Sequence, residues 1–148
     1  MAATLTVTIT ESITLSGKDQ GDTTVETFAE IADIFKRTIL VPTTPEIILY
    51  NTHASNVAGY TFDYDLLDYA RITNTDTTNF ISLRITDANN DEFVYKLKAG
   101  NSFILGTHVG AMTAEEAGGA GSPDAAISRI DAQADTAACR CEIFVASR

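Results

Sequence analysis

The stretch YARITNTDTTNFISLRITDANNDEFVYKLKAGNSFIL, Tyr69 to Leu105, decides the fold. It holds four apolar-alternating runs, YARITN, NFISLRIT, EFVYKLK and NSFILGT, separated by short Asn, Asp, Thr and Gly clusters. In the second run Ile81, Leu83 and Ile85 point one way, and Ser82, Arg84 and Thr86 the other. That period of two belongs to a strand with one greasy and one wet face. TDTT and ANND read as hairpin turns, because Asn and Asp bond their own backbone and tolerate the left-handed region. KAGN turns the chain between the third and fourth runs. The expectation is a meander of antiparallel strands.

Upstream, LTVTITESITL alternates at Leu5, Val7 and Ile9 and resumes at Ile13 and Leu15, with β-branched threonines between. This reads as one long first strand or an N-terminal arm over residues 1–16, followed by a turn in GKDQGD. The run TTVETFAEIADIFKRTILVPTTP has two readings. Val25, Phe28, Ile31, Ala32 and Phe35 fit a helical stripe over 24–35. Two strands, Thr27 to Ile31 and Phe35 to Val41, around a tight turn fit better. EIILY is a strand, NTHASNVAG a loop, and the phase shift at Leu66-Leu67 predicts a bulge.

Downstream, residues 110–125 are small and glycine-rich, which predicts a flexible surface loop. AISRIDAQ alternates as a strand, with Ala126, Ser128, Ile130 and Ala132 on one face, although a helix over 113–134 remains open. CRCEIFVAS is a last strand, with Cys139, Cys141, Ile143 and Val145 sharing a face. Eight to ten short strands at regular spacing predict a single all-β domain over 1–148, an antiparallel β-sandwich or a jelly-roll-like barrel.

The 148 residues suit one domain with its own core. Apolar residues make up 45%, too many for disorder, and no apolar run is long enough to span a membrane. The start, MAATLTVTITESITL, lacks the basic region of a secretory signal. Twenty acidic residues against 10 basic leave a net charge of -10, which argues against direct nucleic-acid binding. Lys36-Arg37 and Lys96 with Lys98 are the densest basic spots and read as solvated strand-face charges.

Chemistry-bearing patterns are sparse. There is no phosphate loop and no GxSxG elbow, and Ser102 sits among strand residues rather than on a nucleophile turn. His53 and His108 read as loop-surface histidines. Cys139 and Cys141 read as small buried hydrophobes rather than a disulfide or zinc pair. Asp63, Asp65 and Asp68, or Asp87, Asp91 and Glu92, offer oxygen ligands for an incidental calcium but lack the spacing of a calcium loop. Turn carboxylates capping backbone amides are the simpler account. Most aromatic rings fall at core phase, which disfavours an exposed glycan platform. No catalytic residue, cofactor-binding residue or metal ligand is assigned, and no enzyme activity is expected.

FKRTILVP, YARITNTDTTNFISLRI and KLKAGNSFILG, within Phe35 to Gly106, resemble segments of small all-β structural proteins of tailed bacteriophages, particularly those of marine bacteria and cyanobacteria. In that resemblance Arg71 to Asn74 precede the turn at Asp76 to Thr78, and Leu97, Ala99, Gly100, Ser102 and Phe103 link one strand to the next. CRCEIF departs from the ordinary apolar strand expected there. The resemblance implies virion architecture, with assembly in the host cytoplasm and no cofactor. A head decoration (cement) subunit bound to the major capsid protein comes first. A neck, collar or tail subunit is second, and a fibre-base, glycan- or receptor-binding module third. Self-association as a trimer or ring is expected, with no direct nucleic-acid or membrane partner.

Overall fold

Fourteen strands form among the described residues of the computed structural model, which are 3–51, 60–62, 67–87, 89–105, 111–112 and 125–148. They are β1 (Ala3–Thr10), β2 (Thr14–Leu15), β3 (Lys18–Asp19), β4 (Thr23–Ile31), β5 (Asp33–Val41), β6 (Glu46–Asn51), β7 (Tyr60–Phe62), β8 (Leu67–Asn74), β9 (Ile81–Asp87), β10 (Glu92–Leu97), β11 (Ser102–Leu105), β12 (Ala111–Met112), β13 (Ala125–Ala134) and β14 (Cys139–Ser147). The all-β expectation holds. The 24–35 segment is strand, not helix, and so is the described end of 113–134.

Eight of these strands build two antiparallel sheets. One has the order β5-β14-β8-β11, the other β6-β13-β9-β10, with β7 added parallel to the β6 edge and β12 paired to β13. Each link β5 to β6, β8 to β9, β10 to β11 and β13 to β14 passes from one sheet to the other. That wound order is the eight-stranded jelly roll.

The stretch from Tyr69 to Leu105 is therefore not a meander. β9 and β10 form a hairpin, but β8 pairs with β14 and β11, and the chain changes sheets at TDTT and again at KAGN. The alternation within each strand is as expected. Its connection is not, because a turn that crosses between sheets uses the same residues as one that closes a hairpin.

The turn chemistry is explicit. Asp76 Oδ1 accepts the amides of Thr78 (2.7 Å) and Asn79 (2.8 Å). Asp87 Oδ1 accepts those of Asn89 (2.8 Å) and Asp91 (2.9 Å), while Asn90 sits at φ 69° in the left-handed region. Gly100 at φ 75° turns the chain between β10 and β11.

Between the sheets lies one core. Val41, Ile72, Cys141, Ile143 and Val145 meet Leu49, Ile81, Leu83, Ile85 and Ile130 across it. The four inward residues of β14 are all buried, as their alternation predicted. In β13 a register shift between Ile127 and Arg129 breaks strict alternation. Ile127 therefore joins Ile130, Ala132 and Ala134 in the core instead of facing away from them.

The N-terminal segment is a hairpin rather than a lone strand. β1 pairs with β4 and β2 with β3, in one register from Leu5 opposite Phe28 to Leu15 opposite Lys18. The tip is Ser16-Gly17, both with positive φ, the geometry of a tight two-residue turn. Of GKDQGD, Gly17 belongs to the turn and Lys18–Asp19 open the returning strand. Midway, a Cβ on Gly21 would run into the backbone carbonyl of Glu11, so glycine lets the two strands approach. β4 and β5 do not pair with each other. The chain bends at Glu30 (φ 63°), and Ala32 N–H bonds the Ser147 carbonyl (2.9 Å), handing the chain from the hairpin to the edge of the β14 sheet.

Candidate interaction surface

The hairpin makes two different faces from one alternating sequence. Thr6, Thr8 and Thr10 lie opposite Thr27, Val25 and Thr23, giving a threonine-rich outer side. Leu5 and Val7 lie opposite Phe28 and Glu26 on the other side. There Leu5, Val7 and Phe28 pack with Ile31 on Tyr69, Phe144 and Ala146. This second small core lies on the outer face of the β14 sheet. Tyr69 meets Phe28 at 5.9 Å and Phe144 at 6.0 Å between ring centres. Burial pushes the Tyr69 phenol above its usual range, Arg71 pulls it back, and Glu26 of the hairpin raises it.

Beyond this seat the apolar stripe continues without cover. Exposure climbs from 43% at Ile9 to 56% at Ile13 and 65% at Leu15. An isolated two-stranded hairpin is marginal in water, so its proximal half is held by the aromatic seat, and its distal half is held by nothing among the described residues.

The outer face of the same sheet carries further exposed apolar side chains, Ile34 and Leu40 on β5 and Ile104 on β11. Lys36, Arg71 and Arg140 stand among them. Glu142 is shared by Arg71 (2.6 Å) and Lys36 (3.8 Å).

At the β10–β11 edge the sandwich is open. Phe93 (41% exposed) and Tyr95 (42% exposed) occupy inward positions opposite Ile85 and Leu83, yet stay wet. Tyr95 reaches Phe103 at 5.2 Å between centroids. The alternation placed these rings at core phase. It could not show that β10 is the edge strand of its sheet.

The outer face of the other sheet carries internally paired charges, with the exposed Val94 beside them. Asp131, buried, meets Arg84 and Arg129, each at 3.2 Å, and Glu92 lies 3.7 Å from Arg84 and 3.8 Å from Arg129. A depression of about 220 Å³ beside them is lined by Pro45, Ser82, Arg84, Val94, Asp131 and neighbours. It is smaller than ordinary ligand pockets, and its ionic groups already have partners.

The two acidic sets stand differently. Asp68 is buried and lies 3.3 Å from the Arg148 guanidinium, while Asp63 and Asp65 lie outside the described residues. Asp87 caps its own turn. No group of three metal-ligating side chains occurs among the described residues. His53, His108 and residues 113–124 of the glycine-rich loop lie outside the described residues, and Ala111–Met112 form a short strand against β13. Ser102 shares a 2.7 Å hydroxyl contact with Thr73 on an exposed strand face. Cys139 and Cys141 are buried free thiols. Burial raises both, Cys141 to about 12 with help from Cys139 and Glu142, so neither is a poised nucleophile.

Comparison with protein-family models, with curated proteins and with solved structures yields no match.

Proposed function

We propose that the chain is a non-enzymatic structural subunit of a bacteriophage virion, a head decoration protein bound to the major capsid protein. One observation carries the reading: an arm whose apolar stripe begins on its own domain and runs past it, exposing Ile13 and Leu15. A monomer gains nothing from that surface, whereas a subunit of a lattice uses it for contact. The jelly roll supports the class, since the architecture recurs in viral coat and lectin domains, an argument by analogy of fold. The resemblance of Phe35 to Gly106 to phage structural proteins points the same way.

Antibody against the chain, applied to purified phage particles and imaged by electron microscopy, tests the reading. Label spread over the head is the expected result. Label confined to the neck or tail moves the subunit there, and unlabelled particles overturn the virion role.

A second reading, a glycan-binding module, draws on the wet rings Phe93 and Tyr95 at the sandwich mouth. Loss of glycan-array binding in a Tyr95→Ala variant would favour it. An array with no binding by the parent chain would remove it.

A further inference from the structure

We propose that the distal half of the arm docks on a second copy of this chain, against the outer face of the β5-β14-β8-β11 sheet around Leu40. The inference deepens the assembly reading and rests on it.

Chemistry picks the occupant. On the face of the stripe the distal arm offers Ile9, Ile13 and Leu15 beside Glu11 and Asp22, with Lys18 opposite Leu15 as the cation, so one negative charge is left over. The proposed receiving face offers Leu40, 62% exposed, amid Lys36, Arg71 and Arg140, with Glu142 as the acid among them, so two positive charges are left over. Arg140 is the cross-strand neighbour of Leu40, and Lys36 lies on the same face of the same strand. On a chain of net charge -10 such a basic and apolar patch stands out, and the acidic arm complements it in both respects.

The arm has already shown that it fits this sheet. Its proximal half seats on Phe144 and Ala146, outward residues of β14, within its own chain. Beyond Val7 the stripe loses cover, and Leu40, at the opposite end of the sheet, stays bare. Arm and receiving patch are different surfaces of one chain, so docking can be exchanged between two copies or passed from each copy to the next. Exchange closes as a two-fold pair, and one-way docking closes as a ring.

Sedimentation velocity over a concentration series tests this on the full chain. Association that weakens with added salt is expected. Leu15→Asp and Leu40→Glu, both at exposed positions that leave the fold intact by circular dichroism, should each weaken it roughly tenfold or more. An arm with Glu11→Lys and Asp22→Lys should lose association with the parent chain. It should regain association with a partner carrying Lys36→Glu and Arg140→Glu. An oxidised mixture of Leu15→Cys and Leu40→Cys chains should give a mixed disulfide dimer that neither gives alone, the native thiols being buried.

A monomer at every concentration overturns the proposal. So does association untouched by both Leu15→Asp and Leu40→Glu, or a mixture that fails to cross-link. A monomeric chain that coats phage heads, and stops doing so with Leu15→Asp, would put the arm on the shell instead and leave the head reading standing. Self-association by the predicted contact without any virion label would keep the contact and remove the head reading.

Discussion

Asn74→Ala should lower stability by about 3–5 kcal/mol, because both sheet crossings of the central ribbon are tied to this one residue. Asn74 is fully buried at the end of β8. Its Nδ2 donates to the carbonyls of Asn79 (2.9 Å) and Leu97 (3.2 Å), and its Oδ1 accepts the Asp76 amide (3.0 Å). Its backbone carbonyl also accepts from Gly100 (2.9 Å), and its amide donates to Asn101 (3.0 Å). The side chain thus fastens the crossing from β8 to β9 and the end of β10, while the backbone fastens the turn into β11. Alanine keeps the backbone bonds and loses the three side-chain bonds. Two of these are partly reached by water, at about 1 kcal/mol each. The third leaves the Leu97 carbonyl bare in the interior, at about 1–3 kcal/mol. Urea unfolding followed by circular dichroism should show a lower midpoint with an unchanged slope. The thermal midpoint should fall by about 10 °C. Asn74→Asp should be worse than alanine at neutral pH, since a carboxylate would face two carbonyl oxygens. Its folded-state pKa is then raised, so the penalty is present at high pH and lifts as pH falls through that value. A loss below about 0.5 kcal/mol for Asn74→Ala would refute the reasoning, because that is the range of an idle surface site.

Leu83→Asp puts a charge on the central strand of the buried face, where Leu83 has no exposure, and should cost roughly 4 kcal/mol or more and yield insoluble protein; soluble, heat-stable protein would contradict the assigned core. Deleting residues 2–10 removes Leu5 and Val7 from the Tyr69 seat and should cost about 1–3 kcal/mol in a thermal melt while the jelly roll still folds; a chain that no longer folds would make the arm part of the main core. Cys141 should resist alkylation in the native state and react only on unfolding. Its thiol rises from 9.0 to about 12, so its contribution to stability is complete below pH 9.0 and is lost as pH climbs toward 12, measurable by alkaline titration of the unfolding midpoint. Asp76 has its carboxyl lowered by the Asn79 and then the Thr78 amide. Its contribution is present above the unfolded carboxylate pKa and lost as pH falls through the depressed value, so Asp76→Asn should flatten the acid limb of stability against pH.

Alternation made the strands legible because it records which side of a strand is dry. Ile81, Leu83 and Ile85, and the inward residues of β14, were readable for that reason. Partner choice was not. β8 and β9 are adjacent in sequence and lie in opposite sheets, and the deciding contact is Asn74, a polar residue that reads like any turn asparagine. Its only signal was position, at the start of TNTDTTN, where a cluster of capping residues longer than a tight hairpin needs hints at a crossing. The arm was visible as a threonine-rich strand, but its return strand was masked by a stretch that also fits a helix. There the local pattern served two periods at once, and tertiary pairing with β1 decided between them. The uncovered ends of the stripe could not be read at all. Ile9 and Leu5 look alike in sequence, and only the position of Tyr69 and Phe144 separates the seated residue from the exposed one.

The two outer faces of the sandwich differ in kind, and the difference bears on how copies would be oriented. On the β9–β13 side, Arg84 and Arg129 are neutralised by Asp131 and Glu92 within the chain. A partner docking there would have to displace pairs that already satisfy one another, at a desolvation cost with little return. On the β5–β14 side, Lys36 and Arg71 share a single carboxylate, and Leu40 and Ile34 are bare. Docking there removes apolar surface from water and supplies the missing acids. The arm leaves from the edge of that same sheet, where β4 bends into β5 at Ala32. Bare apolar surface and unmatched cations thus coincide on the β5–β14 side, whereas on the other face the bare Val94 stands beside cations that are already paired.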